Sequence, residues 1–245
     1  SRFEASALAD FSDTKGGGWN YMLKGMVNLQ LVDGKVAVRL VGYGDDLSGF
    51  IDNPLRGLDD YNVTHPSSGR ASVKWQIGED TSLLGQVFYQ HLYSGGQPIE
   101  RPYGFAIGSN FFPADGAREY SQFSSTPRYD DVKIYALTGQ HNFGWSDLTV
   151  ATSLFDRSIT DYQDDTTSFR FFEYLQGLGA FPPFTVPAGG VSVSPENTRL
   201  FSTEVRLNTK FDGPINGVVG VYYDDRDNKF STNVFATDPA TGNPQ

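Results

Sequence analysis

The chain has 245 residues, 38% of them hydrophobic, and a mean hydropathy of -0.37. No apolar run approaches the ~18 residues of a transmembrane helix, which excludes a helical membrane protein but leaves a β-barrel open. A net charge of -10 argues against nucleic acid as a partner, because phosphate binding needs clustered Lys and Arg. The absence of cysteine removes disulfides, thiolate metal sites and cysteine nucleophiles.

In chain order, 2–12 reads as a first strand, with Phe3, Ala5, Ala7, Ala9 and Phe11 facing one way and Glu4, Ser6, Asp10 and Ser12 the other. A short Gly-rich connection, 13–18, leads into the segment 16–53, which the rest of the chain is organised around. Trp19, Tyr21, Leu23, Val27, Leu29 and Leu31 share a face opposite Asn20, Met22, Lys24, Met26, Asn28 and Gln30. Asp33 and Gly34 then predict a two-residue hairpin turn in which both residues take positive φ. Beyond it, Val36, Val38 and Leu40 oppose Lys35, Arg39, Tyr43 and Asp45. This alternation outruns the usual strand of about 5–6 residues, and matches the about 9–11 residues a tilted strand needs to cross a membrane.

A long loop is expected over 46–68, then strands over 69–77 and 81–93 around a tight turn at 78–80. A long irregular segment over 94–128 follows, rich in Gly, Pro, Phe and Tyr. Strands over 129–143 and 147–158 flank a turn at 144–146. A second long loop spans 159–198, and strands over 199–210 and 215–230 flank a turn at 212–214. The count is about nine strands. Tight turns alternate with long loops, as in up-and-down transmembrane barrels, and two structureless loops of this length are unusual in a soluble domain.

The charged residues of each strand fall on one face. With the opposite facing, Lys24, Arg39, Lys74 and Arg206 would meet lipid, at about 2–4 kcal/mol each near the midplane. The register therefore turns Leu, Val, Ile, Trp and Tyr outward and Lys, Arg, Glu, Asn and Gln inward. So polar an inner face implies a wet, wide lumen that about nine strands do not enclose. The expectation is an antiparallel all-β transmembrane barrel, present in part, from an internal piece of a longer protein.

GGGWNYMLKGMVNLQLVDGKVAVRLVGYGDDLSGFIDN resembles the start of the barrel in TonB-dependent outer-membrane receptors of Gram-negative bacteria. The matching positions are 28–31 (Asn-x-Pro-Leu in the family, with Gln30 here in place of proline), 37–39 (Ala-x-Arg) and 49–53 (Gly-Phe-Ile-Asp-Asn). FSTEVRL (201–207) and VVGVYYDDRDN (218–228) also resemble barrel strands of this family. The resemblance implies a 22-stranded barrel with an N-terminal plug, seated in the outer membrane, that imports scarce solutes with energy from TonB. Residues 1–245 would then be about the first nine strands, without the plug or the C-terminal strands. The implied partners are outer-membrane lipid, the plug domain, TonB and a small-molecule cargo such as an iron chelate. No cofactor and no enzymatic activity are implied.

His65, His91 and His141 share no ligand spacing and read as ordinary loop or lumen residues. The pairs Asp45–Asp46, Asp59–Asp60, Asp130–Asp131, Asp164–Asp165 and Asp224–Asp225 read as a solvated rim, with divalent-cation binding as the alternative. The loop aromatics Phe111, Phe112, Tyr120, Phe123, Phe171, Phe172 and Tyr174, with Phe181 and Phe184, either stack on a cargo or pack the loops together. Lys24, Arg39, Lys74 and Arg206 either attract an anionic ligand or pair with plug carboxylates. No Ser-His-Asp set, phosphate loop or catalytic carboxylate pair is present. Against the receptor stand a passive porin, with the same barrel but no plug, and a soluble β-rich carbohydrate-binding or hydrolase domain with an apolar inner face.

Overall fold

Alternating apolar and polar residues build one large antiparallel sheet in this computed structural model, which describes residues 3–108, 110–180, 182 and 189–245. Its long strands are β1 (Glu4–Asp13), β2 (Trp19–Val32), β3 (Val36–Asp46), β4 (Thr64–Ile77) and β5 (Thr81–Ser94). A small separate hairpin, β6 (Phe105–Ile107) and β7 (Asn110–Phe112), interrupts the series. The sheet continues with β8 (Arg128–Asn142), β9 (Ser146–Asp164), β10 (Gly190–Thr209) and β11 (Val218–Phe230). Each long strand pairs with the next in sequence, and a short β12 (Asn233–Ala236) continues along β10 beyond the end of β11. β1 and β11 are the edges and do not pair with each other.

The register puts chemically alike residues in rows. One row runs Val27, Leu40, Ala71, Val87, Tyr135, Leu154 and Phe201 from β2 to β10. The adjacent row on the other face runs Asn28, Arg39, Ser72, Gln86, Ala136, Ser153 and Ser202. Among the described residues the buried hydrophobics are Ile51, Ile159 and Val191 alone, so the sheet has no dry core on either side. The apolar face lies bare, with Leu23 65%, Leu137 50% and Val73 44% exposed. A soluble sandwich covers such a face, because contiguous apolar patches of this size are rare on monomers in water.

Two further features suit a lipid belt. At the tight-turn end, Phe143, Trp145 and Phe211 line up with ring centroids 6.3 and 6.1 Å apart, an amphipathic band of the kind found at membrane interfaces. At the other end, β8, β9 and β10 reach 15, 19 and 20 residues, well beyond a membrane crossing. There the outer row becomes charged, with Lys133, Asp156, Arg199 and Asp227 in register and Arg199 3.4 Å from Asp156.

Several local expectations need correction. The turn after β2 has three residues, 33–35, between the paired Val32 and Val36, and the register shifts between Gln30 and Val32. Gly34 has φ 65°, whereas Asp33 is not among the positive-φ residues. The bulge absorbs the extra residue, so the turn needs one left-handed position rather than two. β4 starts at Thr64 rather than residue 69, and most of the loop expected over 159–198 is strand or helix. β9 runs on to Asp164, a helix α1 (Thr166–Gly177) follows, and β10 starts at Gly190.

Proline explains two of these differences. Pro195 turns its carbonyl, and hence its missing N–H, toward Ser231, where β11 has ended and β12 has not begun. Pro66 turns toward β3 beyond the last ladder pair, Gly44 with Ser67. Neither proline removes a ladder bond that a partner needs, so each strand passes through a residue that reads as a breaker.

Candidate ligand-binding site

The long connections all emerge at one end of the sheet, and their polar side chains tie them together there. In loop 47–63 the Gly-Phe-Ile-Asp-Asn segment anchors the loop. Ile51 and Asn53 are buried. Asn62 Oδ1 accepts hydrogen bonds from the Phe50 and Ile51 N–H groups, both 2.8 Å. Asp52 Oδ1 accepts one from the Asp60 N–H at 2.9 Å. Gly49 has no room for a side chain, since a Cβ there would lie 1.9 Å from the Asp60 carbonyl oxygen.

Loop 95–127 docks on this anchor and on β9. Asn53 Nδ2 donates to the Gln122 carbonyl at 2.9 Å, and the Gln122 N–H donates back to Asn53 Oδ1 at 3.2 Å. Asp164, at the end of β9, accepts the N–H groups of Phe123 and Ser124 at 2.5 and 2.8 Å through Oδ2. Its Oδ1 accepts the Thr166 N–H at 2.8 Å. The Ser124 hydroxyl lies 2.6 Å from that of Thr237 and 2.9 Å from the Gly190 carbonyl. Arg56 reaches Ser125 at 2.7 Å and the Thr241 carbonyl, so the segment after β12 joins the same cluster.

These contacts enclose a cavity of about 510 Å³ between loop 95–127 and the start of α1, within the range of small-molecule sites. Four expected aromatics, Phe111, Phe112, Tyr120 and Phe123, line it, together with Leu55, Asn110, Arg101, Asp164 and Arg170. Arg101 is held by Asp115 at 2.8 Å and by the Ser121 carbonyl at 3.1 Å, with its guanidinium over the Tyr120 ring at 5.6 Å. Its Nε is buried and has no hydrogen-bond partner among the described residues. Burial, and then the neighbouring Asp164 carboxylate, raise the Tyr120 hydroxyl above the usual phenol range, with Arg101 opposing. Burial raises Tyr61 beside it further, followed by the effects of Tyr120, Asp164 and Asp115.

Phe171, Phe172 and Tyr174 sit on α1, remain substantially exposed and do not line the cavity. Phe181 and Phe184 lie outside the described residues. Leu55, Asn110, Arg101 and Arg170 carried no signal in the sequence. A lone Arg in a Pro- and Phe-rich loop has no spacing to mark it.

The three histidines occupy separate places. His65 lies 3.1 Å from Asp46, His91 2.9 Å from Asp131 and His141 2.7 Å from the Thr81 hydroxyl. Among the described residues no three His, Asp or Glu side chains form a metal-binding group. The acidic pairs divide their work. Asp130 takes Arg157 while Asp131 takes Tyr89 and His91, and Asp164 gathers loop amides.

No family model and no curated protein matches the sequence. Two solved structures resemble the chain over nearly its whole length. The ferric yersiniabactin uptake receptor FyuA from Yersinia pestis matches 96% of this chain with a TM-score of 0.66 at 12% identity. The ferripyoverdine receptor of the outer membrane of Pseudomonas aeruginosa, bound to ferripyoverdine, matches 95% with a TM-score of 0.62 at 15% identity. The fold is that of part of the β-barrel in these two structures. The chain spans 32% and 28% of the lengths of those two proteins, so its open sheet corresponds to part of such a barrel.

Proposed function

We propose that this chain is barrel wall from an outer-membrane receptor of a Gram-negative bacterium. The receptor captures a scarce small molecule, such as a ferric siderophore, at its outer loops and imports it with energy delivered by TonB through a plug domain. The observation that carries this reading is the pairing of a bare apolar face with a polar inner face, capped at one end by tied loops around an aromatic cavity. Lipid covers the first face, water and the plug fill the lumen, and Phe111, Phe112, Tyr120 and Phe123 receive the cargo. No covalent step belongs to this mechanism.

The test is binding of a panel of ferric hydroxamate, catecholate and phenolate chelates to the full-length protein in detergent, followed by uptake in cells with and without TonB. Replacing Phe111 and Phe123 together by Ala should weaken binding roughly ten-fold, from about 0.5–1.5 kcal/mol per aromatic contact. Tyr174→Ala, outside the cavity, should leave it unchanged. Equal affinity in all three proteins would remove the cavity from the mechanism. Uptake that continues without TonB would leave a passive porin.

A further inference from the structure

We infer that the cavity between loop 95–127 and α1 selects cargo without net negative charge, and that Asp115, Asp164 and Glu173 set this preference. It rests on the receptor reading above and narrows the cargo by charge.

The two guanidinium groups of the cavity have their charge already matched. Arg101 lies 2.8 Å from the buried carboxylate of Asp115 and also donates to the Ser121 carbonyl. The same Asp115 oxygen accepts the Ser121 N–H at 2.9 Å, which fixes the carboxylate on the loop that carries both partners. Arg170 lies 2.8 Å from Glu173, one turn further along α1. Asn110 Nδ2, from the facing loop, donates to that same Glu173 oxygen at 3.2 Å. Asp164 is a third carboxylate in the lining. Its oxygens accept three backbone N–H groups, and it forms no ion pair among the described residues. Arg56 reaches Ser125 and the Thr241 carbonyl, Arg118 reaches the Lys15 carbonyl, and neither lines the cavity.

A guanidinium bound to a carboxylate keeps hydrogen bonds to offer but little net field. Three carboxylates around two such groups leave the site on the negative side. The Tyr120 hydroxyl in the lining registers this field. After burial, Asp164 raises it most, and the Arg101 charge over its ring does not reverse the direction. An anion entering here gives up water, meets no unmatched cation and faces like charge, so its binding is penalised. What the lining holds out instead is uncharged. Phe111 is 69% exposed, Phe112 is stacked on Phe105 at 4.7 Å, and Asn110, Thr166 and Thr167 supply amide and hydroxyl groups. Such groups donate and accept without charge, and they fit a molecule with apolar or ring surfaces and neutral polar groups.

The experiment reads the charge preference directly, in the full-length protein in detergent. Residues 1–245 contain no cysteine, so Phe111→Cys places one thiol of this chain in the lining. Ile215→Cys, at a position 81% exposed in the turn at the opposite end, is the reference, and the parent is the blank. Each thiol is modified with two methanethiosulfonates of similar size, one ending in sulfonate and one in trimethylammonium. The ratio of cation to anion rates cancels differences in thiol reactivity and access. It should be about ten-fold higher at residue 111 than at residue 215. Asp115→Asn, which keeps an oxygen for the Ser121 N–H and removes one charge, should lower it. A ratio at residue 111 no higher than at residue 215, or one that D115N leaves unchanged, would overturn the inference. The ligand counterpart is the iron(III) complex of one linear trihydroxamate with its terminal amine acetylated, which is neutral, or succinylated, which is anionic. The neutral form should bind about ten-fold tighter, and equal or tighter binding of the anionic form would overturn the inference as well. TonB-dependent uptake by a protein without the charge preference at residue 111 would overturn this inference alone. The preference in a protein that binds and imports no chelate of the panel would overturn the receptor reading.

Discussion

Asn53 shows how one side chain couples two loops far apart in sequence. It satisfies both the N–H and the carbonyl of Gln122 in a buried setting. Asn53→Ala leaves those groups without partners, at about 1–3 kcal/mol. Loop 95–127 should then be cut faster by a protease at unchanged sheet content. Unchanged cleavage would show that Asp164 suffices to hold the loop. Gly49→Ala should act in the same direction, because the Asp60 carbonyl occupies the space of a Cβ. The buried phenols give a pH signature. The folded-state pKa values of Tyr61 and Tyr120 are raised, so their contribution to loop docking is complete below the ordinary phenol value of about 10. It is lost as pH rises through the higher folded values. Tyr61 and Tyr120 should be among the tyrosines that ionise late in an alkaline absorbance titration, and Tyr61→Phe should remove part of the late phase.

The strand is the scale on which facing is decided. Leu137 lies in the middle of the apolar band of β8, between Tyr135 and Gly139, while Ser72 of β4 faces inward. Leu137→Arg should destabilise the protein in lipid vesicles by about 2–4 kcal/mol, the cost of a cation near the bilayer midplane. Ser72→Arg should change stability far less, since that face meets water. Equilibrium unfolding from vesicles distinguishes the two, and equal costs would mean that the outer face does not meet lipid. The strands themselves were largely readable from alternation, in β2, β3, β4, β5, β8 and the lower halves of β9 and β10. The upper parts of β9 and β10 were hidden for a specific reason. Above the belt neither face meets lipid, and Ser192 is buried, so Ser192, Ser194, Asn197 and Thr198 no longer alternate with lipid-facing residues. Pro195 adds a breaker signal that only the gap between β11 and β12 cancels. α1 was hidden as well, because its Phe-rich stretch reads equally as a packed loop.

On the scale of the whole molecule, the sheet is a wall with two solvents. An apolar face exposed across nine long strands cannot be stable in water, and a charged face on the other side cannot be stable in lipid. Stability should therefore require detergent or lipid throughout, with aggregation on detergent removal read by light scattering. A soluble, monomeric species under those conditions would argue for the carbohydrate-binding alternative.

The sequence by itself determined the strands, their facing and the alternation of tight turns with long loops, because these follow from a period of two residues and from turn chemistry that acts locally. It also determined that the loop aromatics of 111–123 were candidates for contact with a cargo. Only the tertiary structure decided which of them share a cavity. Phe111, Phe112, Tyr120 and Phe123 meet Arg101 and Arg170 there because Asn53, Asp164 and Ser124 pin one loop to two strands and to the segment after β12. Phe171, Phe172 and Tyr174, equally aromatic, ride on α1 but do not line it, although Thr166, Thr167 and Arg170 of the same helix do. Such contacts join residues separated by as many as 185 positions, and no local pattern records a partner at that distance.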